Sequence, residues 1–255
     1  INAMYAYGLS LYEGDGVEMN KEEACRYFKM AADQGMAEAI YNYALMLYNG
    51  EGVPMNKEEA GRYYKMAADK GHMEAMFNYG LMLYKGDGVP INRAEAGRYL
   101  KMVADKGHTD SMFIYGSMLF LGDEVPMNKE EACRYFKKAA DGNNLEAMYR
   151  YACFLYQGDG VAMNKQEAHR YFEMAAKQGQ INAMFVYVNM LEKGEGVPMN
   201  KEEACRYYKM AADKGDKVAM LHYDRMLENG EWVSINQEET SWFLLLHSWK
   251  SNTKK

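Results

Sequence analysis

Apolar residues recur along this chain at helical spacing, in blocks separated by short stretches rich in glycine and polar residues. Between Glu38 and Tyr48, the residues Ile40, Tyr43, Ala44 and Leu47 fall at i, i+3, i+4 and i+7, one buried stripe of an amphipathic helix. Gly50-Glu51-Gly52-Val53-Pro54 ends that block, and a second opens at Asn56. There Asn56 and Glu59 form an Asn version of the capping box. Asn56 is expected to accept a backbone N–H, and Glu59 to reach back to the start of the helix. Ala60, Tyr63, Tyr64 and Ala67 make the second stripe, and Gly71 stands where a left-handed residue closes a helix. Asn143, the next best residue for that backbone state, replaces the glycine in the fourth copy.

The same two-helix unit recurs at one fixed interval. Asn20, Asn56, Asn92, Asn128, Asn164, Asn200 and Asn236 are spaced by 36 residues without insertion, which marks a repeat array of seven copies. Gly14 to Gly230, Val17 to Val233 and Glu23 to Glu239 keep the same register. Helices this short are marginal alone and must bury their stripes against neighbours. The small residues Gly8, Ala44, Gly80, Gly116 and Ala152 allow the paired helix to approach. Residues 217–255 are expected to form a divergent capping repeat, with Asp224, Trp232 and His247-Ser248 at registers that are small elsewhere. The whole of 1–255 reads as one repeat domain. Because the chain starts in mid-register at Ile1, further repeats or another domain are expected to precede it.

Ala39-x3-Tyr43-Ala44-x2-Leu47-Tyr48-x-Gly50-x-Gly52-Val53, followed by Ala60-x2-Tyr63-Tyr64-x2-Ala67-Ala68-x2-Gly71, resembles the Sel-one-like repeat, a relative of the tetratricopeptide repeat. The match extends over nearly the whole chain. The resemblance implies an all-α, right-handed α-solenoid of helix-turn-helix repeats. It further implies a role as adaptor or scaffold, with the first helix of every pair lining a concave face. Two alternatives stand beside it: the regulatory or spacing arm of a larger protein of kinase or ligase type, which the start in mid-register at Ile1 suggests, and a hydrolase of the kind proposed for cysteine-rich members of the family. The second is weakened because this chain lacks the regular Cys pairs.

On the first helices, residues that drift from copy to copy are the candidate contacts for a protein or peptide partner. One register reads Asn42, Asn78, Ile114, Arg150, Val186, His222. The next reads Leu45, Leu81, Ser117, Cys153, Asn189, Arg225, and a third Asn49, Lys85, Leu121, Gln157, Lys193, Asn229. They lie at i, i+3 and i+7 and share a face. Aromatic rows run beside them, Tyr41, Phe77, Phe113, Tyr149, Phe185 and Tyr48, Tyr84, Phe120, Tyr156, placed to grip a peptide or to pack between repeats.

Composition narrows the alternatives. The 255 residues are 49% hydrophobic and 26% charged, a globular balance, and the net charge of -6 offers no electrostatic hold on nucleic acid or an anionic membrane. Uncharged runs such as Ser111–Gly122, 12 residues with two glycines, stop short of the roughly 20 that a membrane span needs. Four scattered cysteines, Cys25, Cys133, Cys153 and Cys205, argue for a reducing, cytoplasmic setting and against a disulfide scaffold. No Cys-x-x-Cys or His-x3-His spacing suggests zinc, no cofactor is expected, and the five histidines do not converge and are read as solvated. The chain is therefore not expected to be an enzyme. Methionines in register, Met30, Met66, Met102, Met174 and Met210 among them, read as adaptable core filling.

Overall fold

The computed structural model describes residues 1–228, and within them the chain is helical throughout, with thirteen α-helices and no strand. The expected divergence at Trp232 and His247-Ser248 lies outside the described residues. The helices are α1 (Asn2–Glu13), α2 (Lys21–Asp33), α3 (Ala37–Asn49), α4 (Lys57–Asp69), α5 (Met73–Lys85), α6 (Arg93–Asp105) and α7 (Thr109–Leu121). They continue as α8 (Lys129–Asp141), α9 (Leu145–Gln157), α10 (Lys165–Lys177), α11 (Ile181–Lys193), α12 (Lys201–Asp213) and α13 (Lys217–Glu228). Two compact units divide the chain, Ile1–Tyr135 and Phe136–Lys255. In the first, each helix from α1 to α7 packs on the next, and α9 to α13 do the same in the second. Each unit is thus a stack of antiparallel helical hairpins, the α-solenoid arrangement that the 36-residue period predicts.

Second helices begin as the sequence indicates, with one change. Asn56 Oδ1 accepts the Glu59 N–H at 3.1 Å, a cap worth about 1 kcal/mol. The reverse half of the box differs. Glu59 takes its hydrogen bond from the Asn56 side-chain amide at 3.0 Å, because the Asn56 backbone N–H is already given to the Leu47 carbonyl at 2.8 Å. That backbone bond recurs from Asn20 to Leu11 and from Asn164 to Leu155, and it fastens each second helix to the first helix of its own hairpin. First helices are capped by His72, His108, Asn144 and Gln180, whose side chains accept the N–H three residues on. His72 and His108 are half-buried caps, His72 stacked on Tyr41 and His108 tilted against Phe77, not the solvated residues expected.

Two glycines in the loop between the helices have separate tasks. Gly50 (φ +72°) closes α3 in the left-handed conformation. Gly52 lets the backbone lie against α2, since a Cβ there would sit 2.2 Å from the Lys21 carbonyl oxygen. Gly80 likewise admits Leu100 of the paired helix, 3.2 Å from where a Cβ would stand.

The core is alanine, leucine, some of the methionines and two aromatic rows, while other methionines lie outside it. The rows are Tyr43, Tyr79, Tyr115, Tyr151 and Tyr187 on the first helices and Phe28, Tyr64, Phe136, Phe172 and Tyr208 on the second. Met46, Met82, Met118 and Met190 are buried, but Met30, Met66, Met102 and Met174 are 43–48% exposed, and Met210 is 37% exposed. Core filling is therefore the wrong reading for that register. At 100° per residue, Met30 lies about 200° around α2 from the buried Phe28, on the solvent side.

Candidate functional site

Side by side, the first helices present a continuous face in each unit, roofed by the two aromatic rows singled out in the sequence. Beneath them runs a third row from the second helices. Tyr64, 1% exposed, lies under Tyr41 and Tyr48 with ring centroids 5.9 and 6.3 Å away. Phe172 lies under Tyr149 and Tyr156 in the same way, at 6.0 and 6.4 Å. The outer rings are half-buried, and beyond the core ring Tyr41 also stacks on His72 at 4.5 Å.

The second outer row is also tied across the repeat boundary. Tyr48 donates to Asp87 of the following copy at 2.5 Å, Lys57 donates to the same carboxylate at 2.9 Å, and its ammonium stands 4.9 Å above the Tyr48 ring. Tyr12, Glu51 and Lys21 repeat this triad, as do Tyr84, Asp123 and Arg93, and Tyr156, Glu195 and Lys165. The Tyr48 phenol, and after it the Lys57 ammonium, hold the Asp87 carboxyl below the ordinary carboxylate range. Chiefly through its bond to Asp87, Tyr48 is pushed up in turn.

Between α3 and α5 the face sinks into a concavity of about 150 Å³. Tyr64 and Met82 form its floor, Leu45, Asn78 and Leu81 its sides, and Tyr48, Asn49, Lys85 and Asp87 its rim. Leu45, Asn49, Asn78, Leu81 and Lys85 all belong to the three drifting registers. Asn78 lines the concavity beside Tyr64, and Asn42 donates to Tyr5 at 3.1 Å. This leaves Asn78 at the wall of the concavity and makes Asn42 a link between α1 and α3.

Other predicted residues are spread along the same face of their own units. Phe77, Tyr84, Phe113, Ser117 and Phe120 are half-buried on α5 and α7, and the Ser117 hydroxyl donates to the Phe113 carbonyl at 2.9 Å. On α9, Tyr149, Cys153 and Tyr156 are half-buried, while Arg150 is exposed and 3.4 Å from Glu146. Burial raises the Cys153 thiol, which suits packing rather than nucleophilic chemistry. Among the described residues no group of three or more His, Cys, Asp or Glu side chains is placed to hold a metal ion. None of the described helices is long and apolar enough to cross a membrane.

The Sel1 repeat model matches six segments, residues 1–36, 37–72, 74–108, 109–144, 145–180 and 183–216. The chain belongs to the Sel1 repeat family. Repeats of this family generally mediate protein–protein contacts. The Sel1 chain is similar in structure to a protective antigen present in uropathogenic Escherichia coli strains that displays an SLR fold. That likeness has a TM-score of 0.87 at 25% identity and covers 99% of this chain and 54% of the other. The present Sel1 chain thus spans about half the length of that protein. It is also similar to a Sel1 repeat protein from Oxalobacter formigenes, with a TM-score of 0.76 and 26% identity over 94% of this chain and 95% of the other. No curated protein matches this Sel1 chain.

The triads are the element that sequence reasoning passed over. Their signal is present in this Sel1 array as a Tyr, a base nine residues on and an acid 39 residues on, as in Tyr48, Lys57 and Asp87.

Proposed function

We propose that this chain is a non-catalytic interaction module whose first-helix face binds a partner peptide or helix, with the concavity between α3 and α5 as its anchoring pocket. One observation carries this reading. The concavity is built from positions that change from repeat to repeat, Leu45, Asn49, Asn78, Leu81 and Lys85, while the surrounding positions recur. Its volume of about 150 Å³ suits one apolar side chain, with the Asn78 amide and the Lys85 ammonium beside it to select a polar neighbour. The half-exposed rings of Tyr41, Phe77 and Tyr84 extend the grip along the face of the first unit.

Selection of displayed peptides on the full chain, followed by affinity measurement against Leu81→Arg, tests the proposal. Arg225 occupies the Leu81 register in another copy, so the substitution is compatible with the helix. A loss of tenfold or more, with a smaller loss for Asn78→Ala, is expected. Undiminished binding to Leu81→Arg would remove the pocket from the account.

A further inference from the structure

One histidine stands in a seam between repeats. His169 lies on α10 at the register that Cys25, Gly61, Gly97, Cys133 and Cys205 occupy in other copies, and all five of those residues are buried. At Gly61 a Cβ would sit 2.5 Å from the Val89 side chain and 3.3 Å from the Met82 methyl. At Gly97 the equivalent neighbours, Val125 and Met118, would come within 2.9 and 3.2 Å. The register is therefore one where a second helix meets the following hairpin closely, which is why small residues fill it. Met190 and Val197 are the counterparts that follow His169.

The fifth copy places an imidazole in this seam. Its ring centre is 5.0 Å from that of Tyr187 on α11, a residue 1% exposed, and its Nε2 is buried with no hydrogen-bond partner. His169 is thus half-buried, not solvated as the sequence suggested. We propose that His169 makes the α10–α11 seam an acid-sensitive joint, closed by the neutral imidazole and loosened when the ring takes up a proton. The joint lies wholly within the second unit, and it does not depend on where a partner binds.

The asymmetry between the two forms of the ring carries the argument. A neutral Nε2 is only an acceptor, and leaving one acceptor unused costs little. Once protonated it becomes a buried cationic donor with no acceptor in reach, which costs far more. The ionisable groups around it are Glu173 and Lys177 on α10, Tyr187 on α11 and Glu203 on α12. Both carboxylates are engaged elsewhere. Glu203 accepts from the Tyr187 hydroxyl at 2.8 Å and from the Asn200 amide at 3.3 Å, and Glu173 pairs with Lys177. Burial is the largest influence and pulls the imidazole below the ordinary histidine range, against the pull of Glu173 and Glu203 and with that of Lys177.

The direction of the pH effect follows. Above the unfolded value of about 6.5 the ring is neutral whether the seam is closed or open, and nothing is lost. Below it the opened chain takes up the proton first, so the closed seam loses stability until the pH has passed the depressed folded value.

Amide hydrogen exchange of the full chain, corrected for intrinsic rates, tests the joint at pH 7.5 and pH 5. Protection in α10 and α11 is expected to fall about threefold or more in the parent on acidification. His169→Cys installs the residue that three other copies carry, and His169→Gln keeps a polar side chain that does not titrate. Neither variant should show that fall. The proposal is overturned if protection in α10 and α11 drops equally in the parent and both variants, if it does not drop in the parent, or if the His169 ring resonances titrate at or above the ordinary histidine value.

Discussion

The Tyr84 hydroxyl donates to the Asp123 carboxylate at 2.9 Å, joining the end of one repeat's first helix to the loop of the next. Arg93 holds the other oxygen of Asp123 at 3.0 Å, and its guanidinium lies 5.3 Å from the centre of the Tyr84 ring. The pair therefore works as a rivet between hairpins that are already in van der Waals contact. Tyr84→Phe keeps the ring and removes the rivet. A stability loss of about 1–2 kcal/mol is expected in urea unfolding, with the helical signal unchanged. A loss below about 0.3 kcal/mol would show that the hydroxyl is incidental.

Acid should loosen the same triads. Since the folded-state value of Asp87 lies below that of an ordinary carboxylate, its contribution is fully present above the unfolded value of about 4 and disappears as pH falls through the depressed one. Asp87→Asn should melt earlier than the parent chain at pH 7, and the two melting curves should converge toward about pH 2. Parallel curves across that range would contradict the assignment.

Glycine substitutions separate strain from crowding. Gly71 (φ +90°) opens onto free space, so Gly71→Ala should cost only the left-handed penalty of about 1–2 kcal/mol. Gly88 (φ +76°) faces the Lys57 carbonyl carbon, 2.6 Å from where a Cβ would stand. With overpacking added, Gly88→Ala should cost about 2–5 kcal/mol. Equal melting temperatures for the two variants would refute the close approach that brings Asp87 to Lys57.

The exposed methionines give a contrast of the opposite kind. Lys138 occupies the register of Met102 in another copy, so Met102→Lys should change stability by no more than about 0.5 kcal/mol. Met148→Ala removes a side chain that is 1% exposed and should cost about 2–5 kcal/mol. Thermal unfolding of both variants settles the division.

Much of this architecture was legible in the sequence because one period of 36 residues imposes one hairpin on every copy. Asn56 announced a helix start and Gly71 a helix end through local backbone chemistry, which needs no tertiary information. The drifting stripe led to Asn78, Leu81 and Lys85 for a related reason, since positions outside the repeated packing are free to differ. The triads were harder to see. Tyr48 and Asp87 are 39 residues apart, in different units of the pattern, and only stacking brings them together. Met30 was misplaced because an apolar side chain was weighed by type, when its angle on α2 already set it opposite Phe28.

The pocket between α3 and α5 is most directly tested by the Met82 methyl resonance, because Met82 is 3% exposed and forms the floor. On addition of a peptide selected against the chain, that resonance should shift in the parent and stay still in Leu81→Arg. A shift of the exposed methionines alone, with Met82 unmoved at saturating peptide, would contradict the claim that the first-helix face receives the partner.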